Sequence, residues 1–247
     1  AKESLIPIRM EQWAGNVFIN YDESAPGLMA HMGNFPDLFA THRVEDMRWV
    51  FGVEIQAACN WKMLLENAME SYHTATVHAR TVGAQTSVTF QGEDNWAAIQ
   101  VQSTMTTAVL DKSAPAPFPQ IEGLDEQARK GTYFTLLYPT IQFVFAQDCM
   151  WWLAVRPVSP ERSVLSVGGC FPKEYVEMPN FQELAQPYFT RWETVAREDA
   201  GILERQQKGV RSVLFRPGLL SPRDDVVHTM GEWVRQRIGI AAYNEPF

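Results

Sequence analysis

His73 and His78 stand five residues apart, and the carboxylate of Glu70 precedes the first of them by three positions. Neutral imidazoles grouped with a carboxylate are the donor set of catalytic zinc and non-haem iron sites. Only five histidines occur in the 247 residues, so two this close behind an apolar run stand out. Met63, Leu64, Asn67, Ala68 and Ser71 recur at helical spacing, and residues 61–72 read as a helix. On it Glu70 and His73 share a face. On an unbroken helix His73 and His78 diverge by about 140°, at 100° per residue. They can meet on one ion only if the helix loosens between them, and Thr74, Thr76 and Val77 are β-branched and favour that. The spacing is not the His-Glu-x-x-His of zinc proteases, whose histidines stay on one helical face. Taken alone, a pair at this spacing more often describes two unconnected surface or core histidines at a helix end.

A second candidate lies far along the chain. Phe181, Leu184, Ala185, Tyr188, Trp192, Val195, Ala196, Ile202 and Leu203 recur at threes and fours, which predicts a long helix over 180–209. Asn180 with Glu183 reads as a capping box, Gly209 as a stop, and Pro187 as a kink or a break into two helices. Asp199 falls in step with the apolar face, where a lone carboxylate is costly unless paired or bound to a cation. The position itself leaves open a solvated Asp199, which is the reading for neighbouring Glu198.

The rest of the chain must hold these helices in place. Strands are expected at 4–10 and 16–20, and over 44–58 as a pair broken near Phe51-Gly52. Others are expected at 86–91, 95–110, 132–138, 140–147, 150–157 and 163–171. Short links imply antiparallel pairing. Asp111 to Lys130, with three prolines, reads as a long loop and candidate lid. A last helix fits 223–238, and the class is α+β. Trp151 and Trp152 should point to opposite faces of their strand, so at most one faces a cavity. His31, His42 and His228 have no ligand-spaced partner and read as surface or packing residues.

Trp61-Lys62-x3-Glu66-Asn67-x2-Glu70-x-Tyr72-His73-x4-His78 resembles the mononuclear-iron segment of Rieske-type non-haem iron oxygenases, in the catalytic domain of the large (alpha) subunit. Glu11 to Asp22 is similar to the strand by which those subunits leave their Rieske domain. Glu198-Asp199-x4-Glu204-x-Gln206-Gln207 is similar to their late helix carrying the carboxylate ligand. The three blocks keep the family's order over most of the chain. The resemblance implies a helix-grip (START-like) fold, a curved antiparallel sheet around a long C-terminal helix. It also implies Fe(II) held by His73, His78 and Asp199, with Glu198 as the runner-up for the carboxylate. Such a triad leaves about three positions open for water, O2 and substrate. Glu70 takes the place of the carboxylate, often Asp in relatives, that bridges the iron to a Rieske cluster on a neighbouring subunit. Asn67 matches an amide near the iron.

A Rieske cluster needs two Cys and two His, and Cys59, Cys149 and Cys170 are far apart, none in a Cys-x-His or Cys-x-x-His pair. The expectation is therefore a linker remnant over 1–22 and a catalytic domain over 23–247, with the [2Fe-2S] cluster on a domain absent from this chain. Electrons would come from NAD(P)H through a separate reductase or ferredoxin to a homotrimer. The expected reaction is hydroxylation or oxidative demethylation of a small aromatic substrate. That choice rests on the apolar residues of 132–147, Tyr133, Phe134, Leu136, Leu137, Ile141, Phe143, Val144 and Phe145, taken as cavity walls. A quaternary-amine oxygenase of the betaine or carnitine kind, a zinc hydrolase on the same residues and a metal-free ligand-binding module are the alternatives.

Bulk properties fit a cytoplasmic enzyme domain. No apolar run approaches a membrane span and no signal peptide is visible. Three dispersed cysteines do not make a disulfide framework. A net charge of −8 disfavours nucleic acid or an anionic membrane as partner.

Overall fold

Alternation is what the strands of this chain do on two sides at once. In the computed structural model, which describes residues 6–92 and 95–239, β1 (Arg9–Trp13) and β2 (Asn16–Asn20) form a separate two-stranded antiparallel sheet. The main sheet has seven strands: β3 (Met47–Ala57), β4 (Ser87–Gln91), β5 (Trp96–Gln102), β6 (Gly131–Leu137), β7 (Ile141–Phe145), β8 (Met150–Ser159) and β9 (Arg162–Pro172). Their order is β3-β9-β8-β7-β6-β5-β4, every neighbour antiparallel. The α+β class is as expected. The strands from β4 to β9 pair in chain order, and β3 closes on β9 from the far side. The expected break near Phe51-Gly52 is a register shift between Trp49 and Phe51 inside one strand. The expected strand at 4–10 begins in residues outside those described; Ile6, Pro7 and Ile8 are not in a strand, and β1 runs instead from Arg9 to Trp13.

Each face of the sheet carries its own core. Ala97, Ile99, Val144, Trp151, Leu165 and Val167 face one way. Against them lies α5 (Phe181–Val210), which presents Phe181, Ala185, Tyr188, Trp192, Ala196 and Leu203. Trp96, Ala98, Tyr133, Phe143, Phe145 and Met150 face the other way. They meet α1 (Leu28–Met32) and α2 (Phe35–Leu38) through Leu28, Met32 and Phe35. Successive residues point to opposite sides, and both sides are covered, so these strands read as continuous apolar runs.

Three helix-end expectations are corrected. The thirty residues of α5 run through Pro187 as one helix, because the Pro lies near the N-terminal end, where the long packed face holds the axis. Asn180 makes no side-chain cap, and the helix passes Gly209 to end at Val210. The capping box is instead at Ser221 and Asp224, before α6 (Asp225–Ile238). The loop over 111–130 is no free lid either. Phe118 stacks on Tyr175, in the short α4 (Lys173–Val176), and Ile121 and Leu124 are buried in the second core.

Two glycines give opposite-signed predictions. A Cβ on Gly169 of β9 would stand 2.0 Å from Cζ3 of the buried Trp192. Gly169→Ala is expected to destabilise by about 1–3 kcal/mol, the range for overpacking. Gly209, inside α5, has no atom near its Cβ direction. Gly209→Ala is expected to stabilise by about 1 kcal/mol from helix propensity. Urea unfolding of the two variants beside wild type checks both signs.

Candidate metal centre

The first histidine segment begins at Asn60, whose side chain accepts from the Lys62 amide at 3.1 Å and caps α3 (Trp61–Asn67). The helix ends five residues short of the length expected from periodicity. Its successor is a 3-10 turn over Tyr72–Ala75, followed by irregular turns through His78. This is the loosening that the β-branched residues favoured. The rings of His73 and His78 come to 5.2 Å between centroids at an interplanar angle of 72°.

Each ring is held from behind by a carboxylate. Glu70 Oε1 lies 2.5 Å from His73 Nδ1, and Glu70 Oε2 accepts from the His73 amide at 3.1 Å. Glu198 Oε2 lies 2.7 Å from His78 Nδ1 and accepts a second hydrogen bond from the Thr81 hydroxyl at 2.9 Å. An ionised carboxylate only accepts, so each Nδ1 donates and each Nε2 keeps its lone pair. Those lone pairs face Asp199. Its Oδ1 stands 2.9 Å from His78 Nε2 and 3.7 Å from His73 Nε2. One ligand atom from each of the three residues falls within 4.8 Å of the others.

His78 Nε2 and Asp199 Oδ1 are buried and make no hydrogen bond. An orphaned nitrogen and an orphaned carboxylate oxygen turned toward one point are costly without a shared cation. Burial pushes the His78 pKa down, but the Asp199 and Glu198 carboxylates outweigh it and the net direction is up. The site thus attracts positive charge, whether a proton or a metal ion. Two imidazole nitrogens and one carboxylate oxygen on one side of a point fit a divalent ion of the iron or zinc type.

The sequence candidates therefore separate cleanly. His73, His78 and Asp199 converge. Glu198 does not join them, because α5 turns its side chain to the back of His78. Glu70, read from the sequence as the bridge to a cluster on a neighbouring subunit, is only 9% exposed and has both its oxygens bonded to His73. Asn67 lines the cavity beside the three converging residues. Tyr72 points away and donates to Asp224 Oδ1 at 3.0 Å, tying this turn to the cap of α6.

The cavity in front of these residues has a volume of about 60 Å³. Its walls correct the sequence reading. Of the eight apolar residues at 132–147 only Phe134 lines it, beside Trp151, Leu153, Val167 and Trp192. Tyr133, Leu137, Phe143 and Phe145 face the opposite core. Trp151 lines the cavity and Trp152 does not, as alternation required. One lining residue was missed altogether. Arg191, next to Trp192 on α5, is 4% exposed and stacks its guanidinium 4.9 Å over the Trp151 ring. The remaining histidines play no part: His31 bonds the Tyr138 carbonyl, His42 sits in the second core with its pKa driven by burial down to about 4, and His228 is on the surface beside Glu232.

Comparison with known proteins agrees with this geometry. Residues 44–240 match the family described as "Ring hydroxylating alpha subunit (catalytic domain)". The chain is 34% identical over 84 residues to the carnitine monooxygenase oxygenase subunit of Escherichia coli (strain K12), covering 31% of this chain and 21% of the relative. It is 18% identical over 248 residues to the glycine betaine monooxygenase oxygenase subunit of Chromohalobacter salexigens, covering 87% of this chain and 55% of the relative. The match thus spans between about a fifth and just over half of these relatives. Among solved structures, the quaternary ammonium Rieske monooxygenase CntA with an inhibitor superposes with a TM-score of 0.72 at 20% identity, covering 94% of this chain and 62% of that one. Naphthalene 1,2-dioxygenase from Rhodococcus sp. with indole gives 0.66 at 12%, covering 95% and 67%. The chain belongs to the ring-hydroxylating alpha-subunit family, and what it carries is that family's catalytic domain.

Proposed function

We propose that His73, His78 and Asp199 hold a mononuclear Fe(II), and that the chain is the oxygenating part of a Rieske-type terminal oxygenase acting on a small organic substrate. The observation that carries this is the convergence of three donor atoms, two of them buried and orphaned, at the end of a largely apolar cavity. Iron, when bound, supplies the redox centre at which O2 is activated. The chain's own residues do the rest. Glu70 and Glu198 fix the tautomer and direction of the two rings. Phe134, Trp151, Leu153 and Trp192 exclude water and press a compact substrate toward the ligand end. Electrons are assigned to a [2Fe-2S] cluster on a Rieske domain, fed from NAD(P)H by a reductase or ferredoxin. The hairpin of β1 and β2, within residues 1–22, is the proposed link to that domain, and a homotrimer the proposed assembly.

Hydroxylation and oxidative demethylation both remain within this reading. The aromatic substrate expected from the sequence loses its main support, because most of the residues taken as cavity walls lie elsewhere. The names of the relatives, acting on carnitine and glycine betaine, favour a quaternary-amine substrate to the same degree. Among the described residues no helix is long and apolar enough to cross a membrane.

Anaerobic titration with Fe(II) tests the reading. One equivalent per chain is expected to bind, and Asp199→Asn to bind far more weakly. Stoichiometric binding that survives Asp199→Asn at full affinity contradicts it.

A further inference from the structure

Arg191 is a buried cation without a counterion. Among the described residues it makes no ion pair and no hydrogen bond, and its Nε is fully enclosed. Its guanidinium lies over Trp151, and both side chains line the same cavity as the three converging ligands. The nearest acidic side chains are already engaged: Asp199 is turned to the two histidines, and Glu198 is bonded to His78 and Thr81. Burial lowers the Arg191 pKa to about 10, which still leaves it charged at neutral pH.

Two more donors line this cavity without a partner. The buried indole N–H of Trp192 and the buried side-chain amide N–H of Gln85 make no hydrogen bond. Lys112 adds charge nearby: its ammonium bonds the carbonyl of Val82, a lining residue, and feels the repulsion of Arg191. Apart from the ligand atoms at the metal end, the unsatisfied groups are donors and the unpaired charge is positive. A buried donor left unmade is costly, and a buried charge more so. A ligand with an anionic acceptor satisfies them, and a planar carboxylate matches the guanidinium fork.

We propose that the substrate carries a carboxylate, which docks on Arg191 with Trp192 and Gln85 as neighbouring donors and so presents the far end of the molecule to His73, His78 and Asp199. Eight residues of α5 separate Arg191 from Asp199, about 12 Å along the helix axis at 1.5 Å per residue. Charge at one end and reaction at the other set the length of the substrate. A bare quaternary amine is repelled by Arg191, whereas a betaine, or an aryl acid, brings its own counterion. The inference rests on the metal reading only for which end of the molecule reacts.

Calorimetry and tryptophan fluorescence on the full chain test it, with linear acids from propionate to octanoate, benzoate, phenylacetate and γ-butyrobetaine, each beside its carboxamide, which lacks the negative charge. At least one acid is expected to bind, and its amide to bind at least 10-fold more weakly. Arg191→Gln should weaken the acid by roughly 10- to 150-fold, the range for hydrogen bonds to charged groups. Arg191→Lys should restore part of that. The benzoate and γ-butyrobetaine arms separate an aryl from a betaine body. Arg191→Met should keep a Tm at or above wild type, since it removes an unpaired buried charge, and a residue merely pairing within the fold would lower it. Metal content is read on the same samples: Arg191→Gln should keep the metal, and His78→Ala should lose it while still binding the acid. Equal binding of acid and amide, wild-type affinity in Arg191→Gln, or no binding by any acid at millimolar concentration overturns the proposal.

Discussion

His78→Ala is expected to abolish metal retention while leaving the protein folded. His78 is 1% exposed, and its Nε2 is the donor closest to Asp199 Oδ1. Removing it leaves one imidazole and one carboxylate, too few to hold an Fe(II) against dilution. Three graded effects should accompany it. His78→Ala loses the metal outright. Glu198→Gln keeps all three donors but weakens the bond behind the ring, and should cost about 10- to 100-fold in metal affinity, the usual effect of changing a partner of a ligating histidine. Glu198→Ala removes that partner and should fall at the upper end of the range. Asp199→Asn replaces an anionic donor by a weak one and should approach the loss seen in His78→Ala. If Glu198 were the ligand, the order of the last two would reverse, so metal content across the series decides between the neighbours. Stability should respond modestly. Glu198 retains its hydrogen bond from Thr81, so the orphaning cost is about 1–3 kcal/mol, and each kcal/mol corresponds to roughly 2–4 °C in a chain of this size. A cooperative melt a few degrees lower, with no bound metal, is the expected result. Full metal content in purified His78→Ala ends the reading of this site.

How far the sequence exposed this site depended on the distance over which each contact acts. Glu70 and His73 are three apart, and their pairing followed from helical spacing. The convergence of His73 with His78 needed only a local failure of the helix, and Thr74, Thr76 and Val77 advertised it. Asp199 was legible as a carboxylate out of place on an apolar stripe. The work of Glu198 was not, because its partner His78 lies 120 residues earlier and nothing in either segment's pattern connects them. Arg191 was hidden by its neighbour: beside Trp192, on a helix with exposed charges elsewhere, an arginine looks like an ordinary helix former, and only the tertiary fold leaves it without a carboxylate. The cavity walls failed for another reason. Alternation says that Tyr133 and Phe134 part company, but which face holds the site is decided by α5, whose position no strand pattern encodes. Ends of helices were the least legible parts, since the cap at Asn180 competes with backbone bonds to its own carbonyl from Glu183 and Leu184, whereas Ser221 and Asp224 satisfy each other.

Glu70→Gln should separate holding the metal from using it. Both oxygens of Glu70 are committed to His73, one to the amide at 3.1 Å and one to Nδ1 at 2.5 Å, and the side chain stands between the substrate cavity and a second, larger cavity of about 360 Å³ bounded by Tyr72, Leu220 and Asp224. Glutamine has nearly the same size and one carbonyl oxygen. It can serve the ring or the amide but not both, and its NH2 opposes whichever donor it faces. The ring of His73 then loses either its anionic partner or the turn that aims it. Metal affinity is expected to fall by about 10-fold, the low end of the range for such partners, so saturation with Fe(II) should restore the metal content. Turnover with a Rieske partner and reductase is expected to fall by orders of magnitude even at full metal content, if the carboxylate is the contact through which electrons cross from the second cavity. Glu70→Asp keeps the charge and shortens the reach by one methylene, and should recover turnover in part. The decisive comparison is turnover at equal iron. Wild-type turnover in saturated Glu70→Gln would reduce Glu70 to a holder of His73, while a deep loss with normal iron, relieved by Glu70→Asp, assigns it the passage between the two centres.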